Sequence, residues 1–285
     1  MIRVLITGKN SYVGNSFCEF VKKNNLNFHI DTLSLKNMNW KKISFEYYDV
    51  IIHLAAIVHV KEKNNELYNK VNRDLAYDIA AKAKNDGVKH FIFFSTMSIY
   101  GKDDGCISNI TKPSPKTPYG KSKLEAENLI KPLHSESFKV AIIRPPMIYG
   151  LNAKGNFKSL VKLANLLPIF PDYYNKRSMI FIDNLNLYLI EIIKNKSSGV
   201  FLLQNKNYVS TSELYVHCRR ALHKRTLITR LFNFVIKILL NRESHIKKMF
   251  GNLIYDDTTF REDLKINEVT FVESIYLSIS KESKI

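Results

Sequence analysis

The sequence predicts an α/β fold, a doubly wound parallel sheet with a small mixed α/β lobe at its C-terminal end. Short, unbroken apolar runs alternate with helical patterns, as strands buried on both faces of a parallel sheet require. The first run empties directly into a glycine turn that opens a helix. After residue 150 the alternation changes character, which divides the chain into 1–150 and a smaller unit, 151–285, some of whose strands or helices are free to return to the first.

Arg3-Val4-Leu5-Ile6-Thr7 is the first strand. Gly8-Lys9-Asn10-Ser11-Tyr12-Val13-Gly14 follows, and Phe17, Phe20 and Val21 then recur at helical spacing. A strand, turn and helix of this kind set backbone N–H groups and a helix N-terminus against a pyrophosphate. The usual turn has three glycines. Here Gly8 and Gly14 hold the outer places and Ser11 the middle one, small enough to let a phosphate approach.

The second strand, Phe28 to Leu33, runs into Ser34-Leu35-Lys36. An acidic residue at this end would bind the ribose 2′-hydroxyl of NAD, whereas a basic one would accept the 2′-phosphate of NADP. If the strand ends at Leu33 the deciding position is Ser34, near Lys36, and the balance tips toward NADP. A shifted register would put Asp31 there instead.

Asp49 to Ala56 is the third strand, closed by small residues that let a cofactor lie close. His53 reads as a packed strand-end histidine. Val71 starts a long helix that runs to Asn85 and stops at Asp86-Gly87. Phe91 to Gly101 reads as a strand ending in hydroxyls, and hydroxyls at the carboxyl end of a parallel strand face the ligand crevice. Thr96 or Ser98 could there hydrogen-bond a sugar oxygen. A proline-stiffened loop, Lys112 to Pro118, delivers the next helix, and Val140 to Arg144 is a further strand. Beyond Gly150, residues 155–167 read as a helix, 168–171 as a loop, 177–184 as a strand leading into a helix of Leu185, Leu187, Leu189 and Ile190, and 199–203 as one more strand. Thr211-Ser212-Glu213 caps the helix expected to carry a basic run.

The 285 residues suffice for one substantial core. No apolar run is long enough to span a bilayer, the first residues lack a signal-peptide layout, and a cytoplasmic location is expected. Cys18, Cys106 and Cys218 are scattered without metal-ligand spacing, so unpaired thiols and no metal are expected. The net charge of +17 raises nucleic acid as a partner. Much of the excess, however, is gathered between Arg219 and Lys248, and elsewhere lysines mingle with acids, so no nucleic-acid partner is expected. The same charge would favour an anionic substrate such as a diphosphate. Within 219–248 Leu231, Phe232, Phe234, Val235, Ile236, Ile238, Leu239 and Leu240 are interleaved with basic residues. A helix packed on the core with a solvated basic face is the favoured reading, and a peripheral membrane or partner contact the other.

The chemistry centres on Tyr119-Gly120-Lys121-Ser122-Lys123, just after Pro118. Four residues apart, Tyr119 and Lys123 share one face of a helix near its first turn. There the ammonium could bring the phenol from about 10 toward neutrality and make it a general acid or base for a sugar hydroxyl.

In order, Thr7-Gly8…Gly14, His53-Leu54-Ala55-Ala56, Val71-Asn72, Ser95-Thr96 before Tyr100-Gly101, Tyr119-x-x-x-Lys123, Arg144-Pro145 before Tyr149-Gly150, and Arg177…Ile182-x-Asn184 make residues 1 to about 204 resemble an extended short-chain dehydrogenase/reductase of the epimerase/dehydratase type acting on nucleotide sugars. The resemblance implies an N-terminal Rossmann domain binding NAD or NADP and a small C-terminal lobe gripping the nucleotide. It makes Tyr119 the proton donor or acceptor, Lys123 the ligand of the nicotinamide ribose, and Thr96, with Ser98 beside it, the catalytic hydroxyl. Gly8, Ser11, Tyr12, Val13 and Gly14 would line the pyrophosphate, and Ser34, Leu54, Ala55, Ala56, Ser95 and Pro145 complete the cofactor set. Thr96, Tyr119, Asn156 and Arg177 would meet a UDP-sugar, although a buried structural ion pair is nearly as good an account of Arg177. A homodimer is also among the expected partners.

Departures from the pattern narrow the reaction. The 4,6-dehydratases carry Asp-Glu directly after the threonine, where this chain has Met97-Ser98, which argues against that class. The best-known 4-epimerases have an asparagine where Met147 stands. Arg144-Pro145-Pro146-x-x-Tyr149-Gly150 looks more like 4-keto-sugar reductases of bacterial surface-polysaccharide pathways. The expectation is therefore reduction of the C4 ketone of a UDP-4-keto sugar. A 4-epimerase with tightly held NAD is the alternative, and a dinucleotide-binding regulator the non-enzymatic one.

Overall fold

The computed structural model describes residues 1–58, 65–240, 242–259 and 264–279. The chain opens with β1 (Ile2–Thr7), α1 (Tyr12–Lys23), β2 (Phe28–Leu33) and β3 (Val50–His53). The next helix begins earlier than Val71: α2 (Asn65–Tyr68) runs through a π-helical stretch, Asn69–Asp74, into α3 (Leu75–Asn85). β4 (His90–Phe94) stops short of the predicted hydroxyl end, and Met97–Tyr100 winds into a 3₁₀ turn. Then come β5 (Gly105–Ile107), α4 (Pro118–Ile130), β6 (Lys139–Ile143) and β7 (Met147–Tyr149).

Six strands form one parallel sheet in the order β10-β6-β4-β3-β1-β2, where β10 is Gly199–Phe201. Chain order runs outward in both directions from β1 and β3, so the crevice of the sheet opens at their carboxyl ends. Side-chain alternation builds the two flanking layers. Ile6, Ile52 and Ile92 join Phe17 of α1 in one cluster, while Leu5, Ile51, Phe91 and Phe93 join Ala76, Ile79, Ala80 and Ala126 of α3 and α4 in the other. Buried small residues on α3 and α4 let these helices approach the sheet closely.

The rest of the chain supplies α5 (Asn156–Leu166), β8 (Ile169–Pro171), β9 (Met179–Phe181) and α6 (Ile182–Lys194), then, after β10, α7 (Thr211–Ala221), β11 (Leu227–Thr229), α8 (Asn233–Leu240), α9 (Ser244–Phe250), β12 (Leu253–Tyr255) and α10 (Phe271–Ile279). Residues 169–171 are thus a strand where a loop was expected, because β11 arrives alongside to pair with them. β7 with β9 and β5 with β12 form two further parallel pairs. The cap of α7 is Ser210, whose Oγ accepts from Glu213 N at 3.0 Å, rather than Thr211. The basic run is not on one helix: it spreads over the end of α7, β11, α8 and α9, and residue 241 within it lies outside the described residues. Arg219 is withdrawn from it, buried and donating to the carbonyls of Ala164 (2.8 Å) and Arg225 (3.0 Å).

The C-terminal tail is fastened by polar side chains of the family-like motifs. Asn184 Oδ1 accepts from Val269 N at 2.8 Å and its Nδ2 donates to Asn205 Oδ1 at 3.0 Å, while the Tyr149 hydroxyl meets Ser274 Oγ at 2.6 Å. No helix among the described residues is long and apolar enough to cross a membrane.

Candidate active site

The glycine turn is held between the ends of β2 and β3. Gly8 N donates to Leu33 O at 3.0 Å, and a Cβ on Gly8 (φ +100°) would lie 2.7 Å from Ala55 N, so only glycine fits. Ser11 in the middle place has an explanation in the structure: with φ −67° it needs no left-handed freedom, and its Oγ caps α1 by accepting from Gly14 N at 3.3 Å. A Cβ on Gly14 would fall 2.6 Å from that same Oγ, so serine and glycine at these places depend on each other. The first turn of α1 carries no acidic residue, leaving its amides and dipole for an anion. Val13 is half-buried in that turn. The Tyr12 ring turns elsewhere, toward Gly150, and its hydroxyl is buried without a hydrogen-bond partner, so its backbone amide is what it offers the turn.

Thr7 Oγ1 and His53 Nδ1 meet at 2.8 Å and tie β1 to β3. Burial, helped by Lys123, pushes His53 down to about 3, so it is a neutral packing residue. Leu54, Ala55 and Ala56 follow it half-exposed. Ser34 follows the end of β2, as the first register predicts. Asp31 pairs with Leu5 inside the strand, and its carboxylate is engaged by the Tyr48 hydroxyl (3.0 Å) and by His29 (3.2 Å).

A second cluster forms where α4 meets the end of β4. Thr117 caps α4, accepting from Gly120 N at 3.1 Å, with Pro118 in its first turn. A Cβ on Gly120 would lie 2.9 Å from Ser98 O, so this glycine lets α4 press onto the 3₁₀ turn. Thr96 caps that turn, accepting from Ser98 N at 3.1 Å and donating to the exposed Ser98 Oγ at 3.2 Å. Its hydroxyl also favours the ionised form of the neighbouring Tyr119. Ser95 is buried, its Oγ without a partner, while its amide donates to Ile143 O at 2.7 Å.

The expected ammonium–phenolate pairing is not what the geometry gives. Lys123 is buried, donates to Phe94 O at 2.6 Å and lies 4.6 Å from the centre of the Phe93 ring. Burial lowers it to about 7, against the pull of Glu127, and raises Tyr119 to about 12, against the opposing influence of the Thr96 hydroxyl. Desolvation outweighs the attraction because each group disfavours its own charged form.

Asn156 and Arg177 come together elsewhere, in the wall of a cavity of about 440 Å³ between α5, α7 and α9, with Met147, Lys248 and Met249. Arg177 donates to Gly251 O at 3.1 Å, a backbone carbonyl rather than the carboxylate of an ion pair. Tyr119 and Thr96 are not in that wall. The two clusters are linked by Pro145–Met147, since Pro145 O accepts from Met97 N at 3.0 Å and Met147 lines the cavity.

Two supporting residues have no role in the sequence reading: Asn72, named only within the Val71-Asn72 motif, and Glu127. Asn72, fully buried in the π-helical stretch, accepts from Ile57 N (2.7 Å) and donates to Ile57 O (3.0 Å) and Ser122 Oγ (3.2 Å), which fixes the segment after β3 against α4. Glu127 continues the face of Tyr119 and Lys123 and grips Arg144 through both oxygens, at 3.0 and 2.5 Å, while Arg144 also donates to the Tyr100 hydroxyl at 2.7 Å. The spacing Tyr-x-x-x-Lys-x-x-x-Glu was the available signal for Glu127. Among the described residues no three His, Cys, Asp or Glu side chains are grouped as metal ligands.

The sequence profile of the NAD dependent epimerase/dehydratase family matches residues 4–201. A UDP-glucose 4-epimerase of Vibrio cholerae is 32% identical over 231 residues, 75% of this chain and 70% of the relative. The N-acetyl-alpha-D-glucosaminyl-diphospho-ditrans,octacis-undecaprenol 4-epimerase of Escherichia coli O157:H7 is 25% identical over 185 residues, 62% of this chain and 56% of that protein. The crystal structure of UDP-N-acetylglucosamine 4-epimerase from Bacillus cereus superposes with a TM-score of 0.78 at 16% identity, covering 100% of both chains, a likeness of fold.

Proposed function

The chain belongs to the NAD-dependent epimerase/dehydratase family, and from that premise we propose that it inverts the C4 hydroxyl of a UDP-linked sugar by transient oxidation. The observation that carries this reading is the convergence of Thr96, Tyr119 and Lys123 at the carboxyl end of β4, in the sheet whose crevice is edged by the Gly8–Gly14 turn. The turn's fit to a dinucleotide rests on the Gly8–Ala55 approach, the acid-free first turn of α1 and the unpartnered Ser95 Oγ. The V. cholerae relative, by its name a 4-epimerase, favours inversion over the one-way reduction expected from the Arg144-Pro145-Pro146 stretch.

When bound, the nicotinamide would supply hydride acceptance and return at C4. Gly8, Ser11, Tyr12, Val13 and Gly14 would hold the pyrophosphate, and Leu54, Ala55, Ala56, Ser95 and Pro145 the rest of the cofactor. Thr96, beside Tyr119, would favour its ionised form and could meet the same sugar oxygen. Burial keeps the Tyr119 phenol protonated across neutral pH, so it must give up that proton before the first half-reaction. As phenolate it would take the C4 hydroxyl proton while hydride leaves C4, and return it to the carbonyl oxygen when hydride comes back. Asn156 and Arg177 would take the diphosphate of the substrate in the cavity beyond Met147.

A second reading, 4-keto-sugar reductase, is favoured by one feature: the end of β2 presents Ser34 and, nearby, Lys36 instead of a free carboxylate, which suits NADP. Purified protein incubated with UDP-glucose or UDP-N-acetylglucosamine and no added cofactor separates the two. Appearance of the C4 epimer supports inversion. Turnover only of a 4-keto sugar with stoichiometric NADPH establishes the reductase, and binding of NAD(P)H without any turnover makes the protein a regulator. Tyr119→Phe is expected to lower turnover by roughly 10²-fold or more with cofactor affinity nearly unchanged, and unaltered turnover would remove Tyr119 from its role.

A further inference from the structure

The outward face of α8 runs against the usual pattern for a surface helix. Its inward side is met by Ile236, which is buried, and by Asn233, whose Nδ2 donates to Asp172 O at 2.8 Å. That leaves Phe234, Val235 and Ile238 pointing to solvent, where charged residues ordinarily stand. Phe234 is 73% exposed, and Leu231 just before the helix 83%. The apolar surface continues onto the two-stranded pair beside it. Leu227 of β11 is 61% exposed and lies in register with the exposed Ile169 of β8, and Leu227 N donates to Pro168 O at 2.8 Å. Leu166 and Leu167, at the end of α5, extend the same edge. Apolar residues scattered singly need no explanation; a stretch this continuous does.

Charge identifies what covers it. Between Arg219 and Lys248 nine residues are basic and one, Glu243, is acidic. Arg220, Arg225, Lys237 and Arg242 are exposed on the elements that carry or flank the apolar face. Asp172, at the end of β8, is already paired with Arg230 at 3.0 Å. A protein partner or second copy of this chain would have to set either acids or more of the same positive charge against this rim, and a second copy of a chain with net charge +17 would supply the latter.

We propose that α8 and the β8–β11 edge are a docking surface for an anionic lipid bilayer. Phe234, Leu231 and Leu227 enter the headgroup–acyl boundary and the surrounding arginines and lysines meet anionic headgroups, the arrangement of an in-plane amphipathic helix. The surface borders the cavity that holds Asn156 and Arg177, because α5 lines that cavity and ends at the exposed Leu166, and α9, packed on α8, lines it through Lys248 and Met249. A membrane-bound molecule therefore keeps that cavity beside the bilayer. The inference stands independently of the reaction proposed above, since it uses none of the residues given a role there.

The test is co-sedimentation of the full chain with vesicles of phosphatidylcholine containing phosphatidylglycerol, and with vesicles of phosphatidylcholine alone. Binding to the anionic vesicles is expected at low salt, weakening as salt screens the basic rim. The double variant Leu231→Glu/Phe234→Glu should lose on the order of tenfold or more in affinity, and Arg225→Gln or Lys237→Gln about fivefold each at low salt. These side chains are exposed, so circular dichroism and thermal unfolding should show all variants folded. Phe234→Leu keeps the apolar contact and should keep binding. The proposal fails if the chain stays in the supernatant with anionic vesicles at low salt, or if the double variant still pellets like the parent. It also fails if the double variant alters only self-association in sedimentation velocity, which would make the face an interface between copies.

Discussion

Burial acts on Tyr119 and Lys123 in opposite directions, keeping the proton on the phenol and driving it off the amine. The sequence showed that the two share a helix face but not how deep that face lies, and depth decides the sign of both shifts. Lys123, at 2% exposure, is a cost to the fold, with one carbonyl and one aromatic face in place of water. Its pKa is about 7 in the folded protein and 10.5 as the ordinary value, so between those pH values the unfolded chain binds more protons. Stability from this group therefore rises with pH through that window and is lowest below about 7. Lys123→Met, which fits the same space without a charge, should raise the melting temperature at pH 6 while abolishing turnover. The gain should shrink by pH 9. A gain that is constant with pH, or absent at pH 6, would show that the amine is not held uncharged by burial.

At the scale of elements, α4 is the piece on which the site depends. Tyr119, Lys123 and Glu127 recur every four residues along one side, and Glu127 fixes that side to the end of β6 through Arg144. Both partners are buried, so removal of one strands the other charge in the interior. Glu127→Ala should cost roughly 3–5 kcal/mol in denaturant unfolding and leave far less folded protein, whereas the double change Glu127→Leu/Arg144→Met should recover most of that loss. If the double variant is no better than the single one, the pair is not what holds α4 in place. This ion pair also shows where sequence reading stops. The spacing of Tyr119 and Lys123 is local and could be read. The pairing of Glu127 with Arg144 joins a helix to a strand beyond a turn and could not. The five longer strands, β1, β2, β3, β4 and β6, of four to six residues, announced themselves by apolar runs, broken in β2 by His29, Asp31 and Thr32. By contrast β5, β7, β8, β11 and β12 are three residues each, too short for any period, and are completed by a distant segment that pairs with them. The π-helical stretch at Asn72 was hidden as well: the Asn72 side chain bridges to Ile57 and Ser122, partners that local spacing does not reveal.

For the whole molecule the relevant quantity is the field of its charge. A net +17 spread over one chain attracts any diphosphate from beyond contact distance, and the cavity wall places Arg177 and Lys248 where such a ligand would arrive. Long-range attraction speeds encounter far more than it slows escape, because the bound ligand feels mainly its immediate contacts. Screening provides the lever: the Debye length falls from about 30 Å at 0.01 M salt to about 8 Å at 0.15 M. Stopped-flow association of a fluorescent UDP analogue should therefore slow severalfold or more across that range, with the dissociation rate changing little. Lys248→Gln, which removes a contact in the wall, should instead act chiefly on dissociation and leave the salt slope of association nearly intact. Arg225→Gln/Lys237→Gln, on the outward face, should flatten that slope slightly and leave dissociation alone. An association rate indifferent to salt would mean that the basic excess serves only the face around α8 and has no part in bringing substrate to the cavity.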